Sequence, residues 1–284
     1  MTLTRRRWSA NAPGRWSLVQ WLSLLTVAVF VAVPLAATAL GGFKSLGELR
    51  TDPFGLPQSW DPTVYWEILK DGRIFQLLWN SVIISSLTVV LTVITASMAA
   101  FVLAHIKFFG REMLMGYFLL GLLFPAATAV LPLFIKVRDL GLLDSYWGVI
   151  LPQVAFGLGF SILLFRSFFE QLPKELFDAA LIDGCGYVRI YWHLTLPLSL
   201  PIIATVSVFV LVTSWNNYLL PLVILNSDSV FPWPLGIMQY RGEFSTEWNK
   251  ILAFLTLTIL PAIAFFLLAQ RYIVSGLTGG AIKG

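Results

Sequence analysis

Six stretches without a single charged side chain divide the sequence: residues 16–40, 74–104, 113–135, 145–165, 194–227 and 251–270. Each exceeds the roughly 18 residues that, coiled as a helix, cover about 30 Å of hydrocarbon. Backbone groups in lipid must be satisfied within the segment itself. The pattern therefore predicts an all-α, polytopic integral membrane protein of six transmembrane helices, in one transmembrane domain over residues 1–284. Spans are expected at about 16–40, 76–104, 113–135, 145–168, 200–225 and 251–271, with a polar loop over 169–199. The fifth uncharged run is too long for one span. Pro197 and Pro201 divide it, so its helix is expected to begin near Leu200. Pro125, Pro132, Pro152 and Pro221 interrupt otherwise regular runs and predict kinks.

Composition agrees with this pattern. The 284 residues are 57% hydrophobic and 12% charged, with a mean hydropathy of +0.80, against about 25% charge in a soluble domain. Arg5, Arg6, Arg7 and Arg15 precede the first run, and the positive-inside rule places them in the cytoplasm. Six spans return the C-terminus to the same side, with 11 Lys and Arg residues inside and 8 outside. Ala37-Thr38-Ala39 resembles a signal cleavage site, but the run before it has span length, so a retained first helix is expected. Basic residues are scattered, so the net charge of +4 implies no nucleic-acid partner. One cysteine, Cys185, excludes an internal disulfide.

The polar loop is the most informative stretch. Pro173 can open a helix, since it lacks only a donor that a first turn leaves unpaired. Lys174 to Asp183 carries no breaker until Gly184, which predicts a helix of roughly 15 Å. Leu176, Ala179, Ala180 and Asp183 share one side at spacings of three and four, a shallow face suited to a protein groove rather than to lipid. Asp178-Ala179-Ala180, three residues, Gly184, nine residues and Leu194-Thr195-Leu196-Pro197 resemble the EAA loop of binding-protein-dependent ABC importers. That loop has a Glu-Ala-Ala triplet and an Ile-x-Leu-Pro ending, so Asp178, Cys185 and Leu194 depart from it mildly.

Asn80-Ser81, Trp215-Asn216-Asn217-Tyr218 and the C-terminal run from Gln270 through Gly276-Leu277-Thr278 to Ala281-Ile282-Lys283-Gly284 narrow the resemblance. They are similar to the second permease of maltose-type, carbohydrate-uptake-1 systems. The resemblance implies a sugar-importer permease subunit in the bacterial inner membrane, with its termini cytoplasmic. Its implied partners are a second permease, a dimer of ATPase subunits, an extracytoplasmic sugar-binding protein, the sugar and the lipid membrane. It also implies coupling to the ATPases through Lys174, Glu175, Phe177, Asp178, Ala179, Ala180, Asp183 and Gly184. The last outer loop, with Phe231, Trp233, Met238 and Tyr240, becomes a candidate contact for the binding protein.

The sequence has no Gly-x-x-x-x-Gly-Lys-Ser/Thr phosphate loop. The chain is thus expected to be a transport subunit rather than an enzyme, needing no cofactor of its own, with ATP and Mg on partner subunits. His105, His193 and Cys185 make no metal cluster, and no carboxylate relay lies in the apolar runs. Ser214, Asn216 and Asn217 give the fifth span polar groups that should avoid lipid. They either line a path for a neutral hydroxylated solute or join helices. A non-sugar ABC importer and an ion-coupled carrier remain the alternatives.

Overall fold

The computed structural model describes residues 18–242 and 245–279; for residue 266 and residues 268–279 it describes the backbone alone. The N-terminal arginines and the last five residues of the tail motif lie outside the described residues. All described elements are helical apart from one isolated bridge between Arg241 and Thr246.

In chain order the helices are α1 (Leu18–Gly41), α2 (Leu46–Thr51), α3 (Thr63–Asp71), α4 (Arg73–His105), α5 (Arg111–Leu122), α6 (Val130–Asp139), α7 (Tyr146–Phe169), α8 (Lys174–Ile182), α9 (Tyr187–Ile190), α10 (Leu196–Leu198), α11 (Leu200–Trp215), α12 (Leu219–Ile224) and α13 (Trp248–Gly279). Four of them, α1, α4, α7 and α13 as far as Phe265, are long and apolar enough to cross a membrane unaided, and two bent pairs bring the count to six.

The bends refine two expected spans. Residues 113–135 do not form one helix: α5 and the segment from Ala126 to Asp139 meet at 92°. Pro125 causes the break, since it has no N–H to continue the ladder and sits at ψ 127°. The expected 200–225 span is likewise divided, because α11 stops at Trp215 and α12 resumes at Leu219. The expected start near Leu200 holds. A 79° turn at Ser199 separates the segment ending at Leu198 from α11.

The core is the pairing of α4 with α7, the most extensive contact between elements, flanked by α11. On α4 the buried positions Ser81, Ile84, Ser85, Thr88, Thr92, Ala96, Ser97 and Ala100 recur at helical spacing. Most are small, and Thr92 meets Gly157 of α7. A Cβ on Gly159 would stand 2.6 Å from the Phe118 carbonyl of α5, so this glycine permits the close approach of two backbones. The 33 residues of α4 extend about 50 Å. They separate the end where α8 packs from the end covered by residues 229–240. By contrast, α1 packs against α13 and exposes Leu18, Phe30 and most of its other apolar side chains.

Candidate functional site: a coupling helix and a central cavity

The α8 helix follows from its local sequence. Pro173 precedes its first turn at ψ 124°, and its last turn closes with three backbone bonds. Asp183 N–H donates to Ala179, Gly184 N–H to Leu181 and Cys185 N–H to Ala180. The last two make a Schellman motif, which requires a left-handed residue at Gly184. Gly184 has φ +77° and nothing within 4 Å of where a Cβ would stand. Its requirement is thus purely conformational.

One side chain anchors this helix. Phe177 is buried, and its ring stacks on His105 at the end of α4 with centroids 4.0 Å apart. His105 in turn faces Phe101 at 5.1 Å and Phe169 at 6.5 Å. Phe101 meets Tyr191 edge-on, and Tyr191 shares a hydrogen bond of 2.8 Å with Ser97. The α8 seat is therefore an aromatic cluster drawn from α4, α7 and the π-helical turn Tyr191–Thr195. Beside it, Arg166 of α7 holds Glu112 at 2.8 Å and Glu170 at 2.8 Å, and Arg111 reaches Glu170 at 3.2 Å. These ion pairs tie the start of α5 to the chain leaving α7 for α8.

Opposite Phe177, the exposed side presents Glu175, Leu176, Ala179, Ile182 and Asp183. Lys174, Asp178 and Gly184 are exposed as well. The face expected from spacing thus holds for Leu176, Ala179 and Asp183, whereas Ala180 is half-buried against the aromatic cluster. Ile182, 86% exposed, completes the outward face in its place.

The central cavity, about 350 Å³, lies where α4, α7 and α11 meet the two breaks after α5 and α11. Ser214 and Asn217 line it, whereas Asn216 lines a separate apolar groove shared with Pro261 and Phe265 of α13. Both asparagines serve their own backbone. Asn216 Nδ2 donates to Val212 O at 2.8 Å, and Asn217 Oδ1 accepts from Leu220 N–H at 3.2 Å, so the pair ends α11 and starts α12. Gln153 of α7, which no sequence pattern marks, accepts from Ser214 Oγ at the cavity wall. Its only signal was an amide inside an uncharged run. His105 gave no sequence signal for its stacking role, since rings from three elements create it.

At the opposite end, residues 231–237 are folded into the body. Asn80 Nδ2 donates to Ser229 O and Phe231 O, both at 2.9 Å, and Asn80 Oδ1 accepts from Tyr146 Oη. Ser81 Oγ accepts from Trp233 N–H, and Trp233 Nε1 donates to Trp215 O, both at 2.8 Å. Phe231 is half-buried and Trp233 buried. Burial pushes the Tyr240 phenol up to about 12, aided by the Asp71 and Glu247 carboxylates, so it stays neutral. Of the four residues expected to face a binding protein, Met238 is the exposed one. Asp144, itself left-handed at φ 55°, accepts from Ser227 Oγ and from the N–H groups of Ser227 and Asn226. Those bonds, led by the serine hydroxyl, hold its carboxyl below the usual value.

Comparison with known proteins agrees with this geometry. The chain is 33% identical to the diacetylchitobiose uptake system permease protein NgcG of Streptomyces coelicolor, over 98% of this chain and 92% of that protein. It is 34% identical to the arabinooligosaccharides transport system permease protein AraQ of Halalkalibacterium halodurans, over 94% of this chain and 98% of the relative. The crystal structure of a bacterial ABC transporter involved in import of the acidic polysaccharide alginate shares the fold, with a TM-score of 0.78 and 23% identity over 89% of this chain and 95% of that one. The family described as binding-protein-dependent transport system inner membrane component matches residues 89–279, and the chain belongs to that family.

Proposed function

We propose that this chain is the permease subunit of an ATP-driven sugar importer of the bacterial inner membrane, with both termini cytoplasmic. It forms the solute path with a second permease, receives sugar from an extracytoplasmic binding protein and takes its motion from an ATPase dimer that carries ATP and Mg. Full-length similarity to permeases named for diacetylchitobiose and arabinooligosaccharides supports the solute class. The observation that carries the coupling role is the mounting of α8. An exposed face of Leu176, Ala179, Ile182 and Asp183 lies outside, while Phe177 is keyed into the ends of α4 and α7.

A short helix held by one aromatic anchor and one Schellman turn moves as a unit. A push on its exposed face is passed through Phe177 and His105 to α4, and through Phe169 and Glu170 to α7. The breaks at Pro125, Ser199 and Asn216 let α5, α11 and α12 reorient relative to the α4–α7 pair, which is how a packed bundle alternates access around a central site.

The test is the complete complex. Ala179→Cys should crosslink to a cysteine placed in the ATPase surface, and uptake of labelled diacetylchitobiose or arabinotriose should require ATP. Crosslinks absent from every nucleotide state would refute the coupling role. Uptake that persists without the ATPases and follows an ion gradient would refute the importer class.

A further inference from the structure

We infer that the Gln153 amide is a solute contact in the permeation path, offering its unpaired hydrogen-bonding capacity to a neutral hydroxylated ring such as a saccharide unit; this rests on the importer reading above. Gln153 follows Pro152 in α7 and is 8% exposed, yet its Nε2 has no hydrogen-bond partner. A buried amide donor without an acceptor is an energetic liability that native cores avoid. Its Oε1 is held by Ser214 Oγ, while Thr88 Oγ1 stands 3.4 Å away and donates to Ile84 O at 2.8 Å. Turning the amide over exchanges its two ends but still leaves one of them unmatched, so the spare capacity belongs to the site rather than to one rotamer.

That capacity sits at the wall of the central cavity, whose apolar lining includes Phe156 and the pair Phe160 and Phe209, with centroids 4.4 Å apart. Aromatic walls with a few convergent polar groups are the make-up of a small-molecule site. A neutral amide matches a hydroxyl without the cost of placing a charge at membrane depth. Asn217 at the same cavity accepts from Leu220 N–H through its Oδ1 and is less enclosed than Gln153. Ser214 and Thr88 act on Gln153 as positioning residues.

Gln153→Met keeps the length of the side chain and removes its hydrogen bonds. It is assayed in proteoliposomes holding the complete complex and its binding protein, with labelled diacetylchitobiose and arabinotriose as probes. The binding protein sets half-saturation, so the readout is sugar imported per ATP hydrolysed. We expect that ratio to fall about tenfold, the value of one hydrogen bond, in a complex that still assembles and hydrolyses ATP. If assembly and hydrolysis fall together at an unchanged ratio, Gln153 is a helix-joining strut and the inference is overturned.

A second measurement does not need the sugar. Gln153→Cys is treated with a membrane-impermeant methanethiosulfonate during turnover, and peptide mass mapping separates its modification from that of Cys185. Val149→Cys, one turn away at a position fully enclosed in the core, is the unmodified control. Absence of modification at residue 153 in every nucleotide state overturns the inference. Modification there with neither sugar carried keeps Gln153 in the path and instead sinks the saccharide assignment.

Discussion

The loop that carries α8 and the loop over residues 226–242 at the opposite end both look like docking segments in the sequence, but they are built in opposite ways. The first buries one large side chain, Phe177, and turns Leu176, Ala179, Ile182 and Asp183 outward. The second turns Trp233, Pro234, Leu235 and Gly236 inward and leaves Met238 and Gln239 outside. Exposed, small-residue helices can be handles, whereas aromatic-rich loops beside a membrane helix tend to supply their own core. Trp233 shows this directly. It has a backbone bond to Ser81, a side-chain bond to Trp215 and packing against Phe254 in one cluster.

Large truncations should separate the two designs most sharply. Trp233→Ala removes a buried indole and leaves Trp215 O unpaired, costing on the order of 3–5 kcal/mol. The expected outcome is a lower unfolding temperature of the detergent-purified permease, seen as loss of its monodisperse peak on heating. Phe177→Ala removes a comparable volume but from the stem of α8. Here the body should stay folded and inserted, while binding-protein-stimulated ATP hydrolysis and uptake fall to background. Equal melting for the two variants would erase the contrast.

Gly184→Ala probes the handle more finely. Left-handed backbone at an L-residue costs roughly 1–2 kcal/mol, and no steric clash adds to it. Stimulated ATP hydrolysis should drop several-fold, and Gly184→Asn should restore part of it, since asparagine tolerates that conformation. An unchanged rate for Gly184→Ala would show that the turn need not be held rigid.

The tie through Asp144 gives a pH test. Its carboxyl is held below the ordinary value of 3.8 by Ser227 and Asn226. The tie therefore contributes fully above that value and is lost as pH falls through the lower, folded value. Proteolysis of residues 226–242 should be the same at about pH 7 and about pH 5 and faster only below about pH 4. Asp144→Ala should show the faster rate already near neutrality. The smallest effect is expected for Met238→Ala, which leaves the melting temperature unchanged and weakens only capture of the binding protein.

Much of the α8 loop was legible because its logic is local. A proline start, a breaker-free run and Gly184 specify a helix and its stop from nearest neighbours, and the three backbone bonds found there follow from them. The face was less legible: Ala180 turns inward because Phe177 docks against His105, and that ring arrives from a helix some 70 positions earlier in the sequence. The cavity was barely legible. Ser214, Asn216 and Asn217 looked like one polar patch, but ending a helix between them sends Asn216 to one side and Asn217 to the other. Gln153 was not legible because a single amide in an apolar run has no pattern.

By itself the sequence determined the apolar runs, the break at Pro125, the α8 helix with its glycine stop and the family to which the chain belongs. Each of these depends on hydrophobicity, backbone dihedrals or spacing within one segment. Pro132, Pro152 and Pro221, expected to kink their runs, instead lie inside continuous helices. Tertiary structure alone decided which polar groups share a cavity, which aromatic rings carry the stem of α8 and which loop folds inward. Those outcomes depend on side chains converging from helices far apart in the chain, where packing and the pairing of buried polar groups outweigh any local preference.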